Sequence, residues 1–274
     1  MKKNIILFAL LFITTAVLAQ PAKESFDNGI SLKNSEKYEE ALAAFKKTIS
    51  LDASYMEAYY QAGWCSNELE KYDDALGFLD KYTPDDEDDL AYKFVEIGYA
   101  NYKLKNEDEA IEAYNSALDH RENYGVAYRG LGNVYYDNSE DEDALANFEL
   151  AMQYDEENSK AYYYTLGWLY NDAGDYDKAE EILKKAVAYD PEVAKTFEEL
   201  AYTYLKLEMY TEGVAQANKA IVLNAESSLG YHYLANCYMG LKEKDKAMQA
   251  YNKLKAFDEE EAASLLKEIN GEDQ

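Results

Sequence analysis

Two histidines, two cysteines and one dense acidic run are the residues of this sequence whose types could do chemistry: His120, His232, Cys65, Cys237, and "PDDEDD" at residues 84–89. An imidazole serves as a general base only beside a nucleophile or a carboxylate that it can reach. No zinc-protease, phosphate-loop or nucleophile-elbow pattern surrounds either histidine, and His120 closes a helical segment, where the helix dipole favours a cation. The acidic run lacks the spacing and the glycine of a calcium loop and reads as a solvated connection. What remains is aromatic. The chain carries 28 tyrosines and 2 tryptophans, and "AYYYTLGWLY" at residues 161–170 packs five rings into ten positions. Such rings either fill a core or present a binding surface.

The elements that must position them follow from charge and periodicity. The 274 residues hold 54 acidic against 27 basic side chains, a formal net charge of −27. That balance disfavours nucleic acid, whose phosphates demand lysine and arginine, and anionic membrane surfaces. The chain opens MKKNIILFALLFITTAVLAQ, with Lys2 and Lys3 before an apolar stretch from Ile5 to Val17 and a small-residue pattern at Val17-Leu18-Ala19. This reads as a bacterial-type signal peptide over 1–19, with no lipobox cysteine after it. The expectation is a protein exported to the periplasm or beyond, with no membrane span once the leader is cleaved.

One period organises the rest. Small residues recur at Ala41, Ala75, Ala110, Ala144, Ala179, Gly213 and Ala247, spaced by 34 or 35. Twelve positions before each stands another small residue: Gly29, Gly63, Gly98, Gly132, Gly167, Ala201 and Ala235. Four further back come Ser25, Tyr59, Phe94, Tyr128, Tyr163, Phe197 and Tyr231. Each unit holds two segments of helical spacing around a short polar turn, as at Tyr162–Asn171 and Lys178–Ala188. The small residues are expected to face each other where the two helices approach. A single pair cannot bury its apolar face, so neighbours must stack.

Seven such units, best formed by Tyr163, Leu166, Gly167, Tyr170, Ala179, Leu183, Ala186 and Pro191, resemble the tetratricopeptide repeat (TPR) family. The resemblance implies an all-α, right-handed superhelical solenoid of seven tandem helix-turn-helix repeats over residues 22–258. First helices would line a concave groove and second helices the convex side. In the second unit Tyr82 replaces a small residue, and Thr83-Pro84 cuts the second helix short. Asp258 and Glu261 form a capping-box-like pair, and Ala262, Leu265, Leu266 and Ile269 make one stripe, so 259–274 reads as a C-terminal capping helix and tail. Cys65 and Cys237 hold the same place in units two and seven, far apart in any such stack, and read as buried small hydrophobes. An intermolecular disulfide is the alternative that export leaves open.

The concave positions that the family implies select Tyr60, Trp64, Asn67, Tyr99, Tyr102, Arg129, Asn133, Tyr136, Tyr164, Trp168, Asn171, Lys195 and Tyr202, with His232 and Asn236 in the last unit. Across the whole implied concave lining, Lys23, Lys33, Lys103, Arg129, Lys195 and Lys206 stand against Glu57, Glu68, Asp137, Asp172 and Glu198, so the excess acidity belongs to the convex face and loops. Asparagine pairs with both groups of a peptide bond, and tyrosine and tryptophan supply anchoring area at low entropic cost. The expectation is a non-enzymatic scaffold without cofactor or metal, binding a protein or extended peptide. A carboxylate clamp known in some members is matched by Arg129, Asn133 and Lys195 and broken by Thr165 and Glu199. Glycan stacking on the same rings, or a purely structural assembly, are the rival readings.

Overall fold

The computed structural model describes residues 20–271. The leader expected over residues 1–19 lies outside them, and so does the end of the tail. No helix among the described residues is long and apolar enough to cross a membrane. The chain divides into two compact units, one ending at Ser139 and the other beginning at Glu140.

The first unit contains a helical segment α1 over residues 20–33, followed by α2 (Tyr38–Leu51), α3 (Met56–Glu68), α4 (Tyr72–Leu79), α5 (Glu87–Leu104), α6 (Glu107–His120) and α7 (Gly125–Asp137). Helix α4 is the short one, as Thr83-Pro84 requires. Tyr82 is buried and its ring meets Tyr60 at 5.4 Å between centroids. Helix α3 packs on α5 and α5 on α7, whereas α2, α4 and α6 pack chiefly on first helices. The first helices therefore form the inner row of this unit.

The second unit contains α8 (Asp141–Tyr154), the single turn α9 (Glu156–Ser159), a 3-10 turn Lys160–Tyr162, then α10 (Tyr163–Asp172), α11 (Tyr176–Tyr189), α12 (Ala194–Lys206), α13 (Tyr210–Leu223), α14 (Ser228–Gly240), α15 (Lys244–Leu254) and α16 (Glu259–Asn270). Here α10, α12, α14 and α16 are the successive inner neighbours. Asp258 caps α16 by accepting from the Glu261 N–H at 3.0 Å, and Ala262, Leu265 and Ile269 are buried beneath it.

The expectation that small residues face each other needs correcting. A Cβ built on Gly29, Gly63 or Gly98 would lie 2.6–2.7 Å from Phe45, Leu79 or Tyr114, each four residues beyond the repeating alanine of the second helix. Gly167 meets Leu183 in the same way. The glycine makes room for a large side chain, and Phe45, Leu79 and Leu183 are fully buried as a result. Burying each of them contributes about 2–3 kcal/mol. Where Ala201 replaces the glycine, the residue at the opposing place is the smaller Ala217.

Every turn between paired helices places one residue in the left-handed region: Glu36, Glu70, Lys105, Ser139, Gly174, Glu208 and Lys242 have φ between 57° and 77°. Their spacing repeats the 34- or 35-residue period. The residue after the turn returns its N–H to the helix, as in Lys71 to the Ser66 carbonyl at 2.8 Å and Met209 to the Tyr204 carbonyl at 2.8 Å. Only Gly174 adopts this conformation without a Cβ penalty. Acidic residues open the second helices, including Glu39-Glu40, Asp73-Asp74 and Glu107-Asp108-Glu109. Much of the negative charge thus sits where the helix dipole stabilises it.

Candidate functional site

In the first unit the inner row presents Trp64 on α3 and Tyr99 on α5. Each ring is braced edge-on by the tyrosine that opens the preceding second helix: Tyr38 on Trp64 at 5.5 Å and 76°, Tyr72 on Tyr99 at 6.2 Å and 76°. Each also carries a lysine. Lys33 lies 4.3 Å above Trp64, and Lys103 lies 5.5 Å from both Tyr99 and Tyr102. Tyr102 donates to Asp137 at 2.9 Å, where Lys105 also pairs at 3.1 Å. Tyr60 is half-buried against Tyr82, and its burial raises the phenol far above its usual range. On α7, Arg129 and Asn133 are half-buried and Tyr136 is exposed.

The second unit repeats part of this pattern. Tyr202 on α12 is braced by Tyr176 at 6.2 Å and 75°, touches Tyr233 at 5.5 Å, and carries Lys206 at 5.2 Å. Tyr164 and Trp168 on α10 are half-buried, and Lys195 is exposed near the start of α12. Tyr163 and Tyr170 are buried, and Tyr162 packs on Phe148 at 4.9 Å. Of the five rings of residues 161–170, two are thus buried, Tyr162 packs on Phe148, and Tyr164 and Trp168 are half-buried on α10.

Asn67 and Asn171 are not peptide-facing, contrary to expectation. They are 2% and 4% exposed and stitch one repeat to the next. Asn67 donates to the Glu96 carbonyl at 3.1 Å and to its carboxyl at 2.7 Å. Asn171 donates to the Glu199 carbonyl at 3.3 Å and to its carboxyl at 3.0 Å. At Asn171 the bonding is completed by Thr203, whose hydroxyl donates to the amide oxygen at 2.8 Å. Ala100 stands at the corresponding place in the first unit, so the Asn67 amide oxygen is buried with no partner among the described residues.

Desolvation pushes the Glu96 carboxyl from 4.5 up to about 7, with Glu68 adding to the rise and the Asn67 bond and Lys33 opposing it. Glu199 is raised for the same leading reason. The residue that breaks the carboxylate clamp is thus occupied in a seam between repeats. Glu96 and Glu199 were missed as site residues; the available signal was a glutamate 29 positions after Asn67 and 28 after Asn171.

The last inner-row residues are covered. His232 Nδ1 lies 2.6 Å from Glu261 and Nε2 3.3 Å from Glu268, and Asn236 donates to Glu268 at 2.6 Å. Helix α16 therefore occupies the share of the row that His232 and Asn236 were expected to offer. His120 stacks on Phe94 at 5.6 Å and pairs with Glu87, a structural role. Both thiols are buried, and desolvation raises Cys65 to about 11 and Cys237 to about 12.

Comparison with known proteins agrees with this architecture. Tetratricopeptide repeat models match residues 34–93, 94–124, 126–192, 164–228 and 231–259. A TPR repeat-containing protein of Methanocaldococcus jannaschii is 26% identical over 240 residues, covering 72% of this chain and 42% of that protein, so the chain spans less than half of its relative. The C-terminal part of a TPR repeat-containing protein from Cytophaga hutchinsonii is similar with a TM-score of 0.66 at 21% identity, covering 88% of this chain and 99% of that one. YrrB, described as a TPR protein with an unusual peptide-binding site, is similar with a TM-score of 0.63 at 19% identity, covering 72% of this chain and 97% of that one. With repeat models matching most of its length and helix pairs recurring every 34 or 35 residues, the chain belongs to the tetratricopeptide repeat family.

Proposed function

We propose that this protein is a non-enzymatic interaction scaffold of the bacterial cell envelope that holds an extended segment of a partner protein along its inner helix rows. The observation that carries this reading is the braced row of Trp64 and Tyr99, continued by the exposed Tyr136 within the first unit. Rings held edge-on lose little entropy on binding and give area to a chain laid across the helices. YrrB, which shares the fold, is described as having a peptide-binding site. Both thiols are enclosed and burial disfavours their thiolates, and among the described residues no hydroxyl or thiol is bonded to either imidazole, which supports a role without catalysis. The lysines seated on Trp64, Tyr99 and Tyr202 occupy faces on which a sugar would stack, which favours a peptide over a glycan. Export rests on the N-terminal Lys2-Lys3, apolar and small-residue pattern.

The test is affinity capture from an envelope extract with the wild type, the pair Trp64→Ala/Tyr99→Ala, and the pair Tyr164→Ala/Trp168→Ala. Loss of an anchoring ring costs about 2 kcal/mol or more, so a captured protein should fall by about thirtyfold in affinity with at least one pair. Identical captured sets from all three would overturn the reading.

A further inference from the structure

The Lys33 ammonium is half-buried, yet its one hydrogen bond among the described residues is to the Gln61 amide oxygen at 2.7 Å. No carboxylate among the described residues is bonded to it. Burial lowers its proton affinity, and Glu96 and Glu68 counter this only through space. Glu96 is meanwhile engaged by Asn67. Of the other ring-seated lysines, Lys46, Lys105, Lys178 and Lys246 each pair with a carboxylate as well as a ring, whereas Lys103 and Lys206, like Lys33, show no ion pair among the described residues.

Beside Lys33, the Trp64 indole N–H and the Tyr38 hydroxyl also make no hydrogen bond within the described chain, although their rings are fixed at 5.5 Å and 76°. One cation and two further donors are thus gathered about the Trp64 ring with a single bonded acceptor, Gln61, while Glu36, Glu68 and Glu96 act on them only through space. A partly desolvated charge without a counter-ion is costly, and an acidic ligand relieves that cost. Its carboxylate would accept charge-assisted hydrogen bonds from the ammonium, with the indole as a second donor.

We propose that Lys33, Trp64 and Tyr38 form a seat for the carboxylate of an aspartate or glutamate side chain in the bound partner segment. The seat rests on the peptide-scaffold reading and specifies the partner: an extended segment with an internal acidic residue, read at the first-unit end of the row. The charged lysine selects carboxylate over the neutral amide of asparagine or glutamine, which has the same shape.

The experiment uses the full chain on an array of short, acetylated and amidated peptides of random sequence, so that neither terminus supplies a charge. Bound peptides should be enriched in Asp and Glu over Asn and Gln. Lys33→Met, which keeps the aliphatic stem on Trp64, should abolish that enrichment, and Lys33→Arg should retain it. For an acidic peptide that binds, exchanging its Glu for Gln should weaken binding about tenfold in the wild type and leave the Lys33→Met variant unchanged. An array bound without acidic enrichment, or enrichment that persists in Lys33→Met, would overturn the seat while leaving the scaffold intact. An array to which the wild type does not bind at all would count against the scaffold itself, and the seat would fall with it. Circular dichroism of each variant establishes that it is folded.

Discussion

Replacing Glu96 by glutamine keeps the shape of the side chain in the seam between α3 and α5 and removes its ionisation. In the folded chain the carboxyl is held at about 7 against an ordinary 4.5, chiefly because it is withdrawn from water. The groups facing it are Asn67, Glu68, Tyr60, Lys33 and Tyr124, with Tyr99 on its own helix. Since the folded pKa lies above the unfolded one, the folded state holds more protons between the two values, and stability falls as pH rises through that window. Below 4.5 the group makes no difference between the states, and above about 7 its cost is complete. A tenfold change in proton affinity is worth about 1.4 kcal/mol, so from pH 5 to pH 8 the ionisation removes about 2–3 kcal/mol. Urea unfolding of wild type and Glu96→Gln, followed by far-UV circular dichroism at both pH values, isolates this contribution from the self-repulsion of the acidic surface, which the two proteins share. The stability of Glu96→Gln relative to wild type should rise by about 2–3 kcal/mol between pH 5 and pH 8. A relative stability that stays constant across that range would refute the assignment of a desolvated, protonatable carboxyl to this seam.

Two further outcomes test the packing. Thr203→Val keeps the branched shape but leaves the Asn171 amide oxygen without a donor, and should cost about 1–3 kcal/mol, whereas Ala100→Thr supplies the missing donor at Asn67 and should gain up to about 1 kcal/mol; equal midpoints for all three proteins in urea would show that the amide oxygens find other partners. Glu208 sits at φ 58° in a turn, exposed and with no side-chain hydrogen bond or ion pair among the described residues, so Glu208→Gly should stabilise the second unit by about 0.5–1 kcal/mol, read as a higher thermal midpoint, and a lower midpoint would contradict the turn geometry.

The repeat was legible because its spacing is carried by residue size, and size decides how closely two helices approach. Gly29, Gly63, Gly98 and Gly167 could be found without knowing what lies over them. Identifying the residues over them needed the interhelical register, which placed Phe45, Leu79, Tyr114 and Leu183 there in place of the repeating alanines. The turns were readable as turns, but their left-handed residue was not, since six of the seven are not glycine. At the candidate site, single-helix periodicity separated the buried Tyr163 and Tyr170 from the half-buried Tyr164 and Trp168. It failed at Asn67 and Asn171 because the next repeat brings a glutamate over each of them, and helical spacing within one repeat contains nothing about its neighbour. The orphaned oxygen at Asn67 was invisible for the same reason: it depends on Ala100 standing where the other unit has Thr203.

The two enclosed thiols have a practical consequence. With Cys65 raised to about 11 and Cys237 to about 12, almost no thiolate exists near neutral pH, and neither sulfur is open to a reagent. The natural chain is thereby chemically silent toward maleimides and iodoacetamides. A single cysteine introduced at a turn such as Glu70 or Glu208 would be the one nucleophile that such a reagent meets. Fluorophores or spin labels can therefore be placed at regular intervals along each unit of the unaltered background, and the binding proposed for the inner row can be followed from its outer edge.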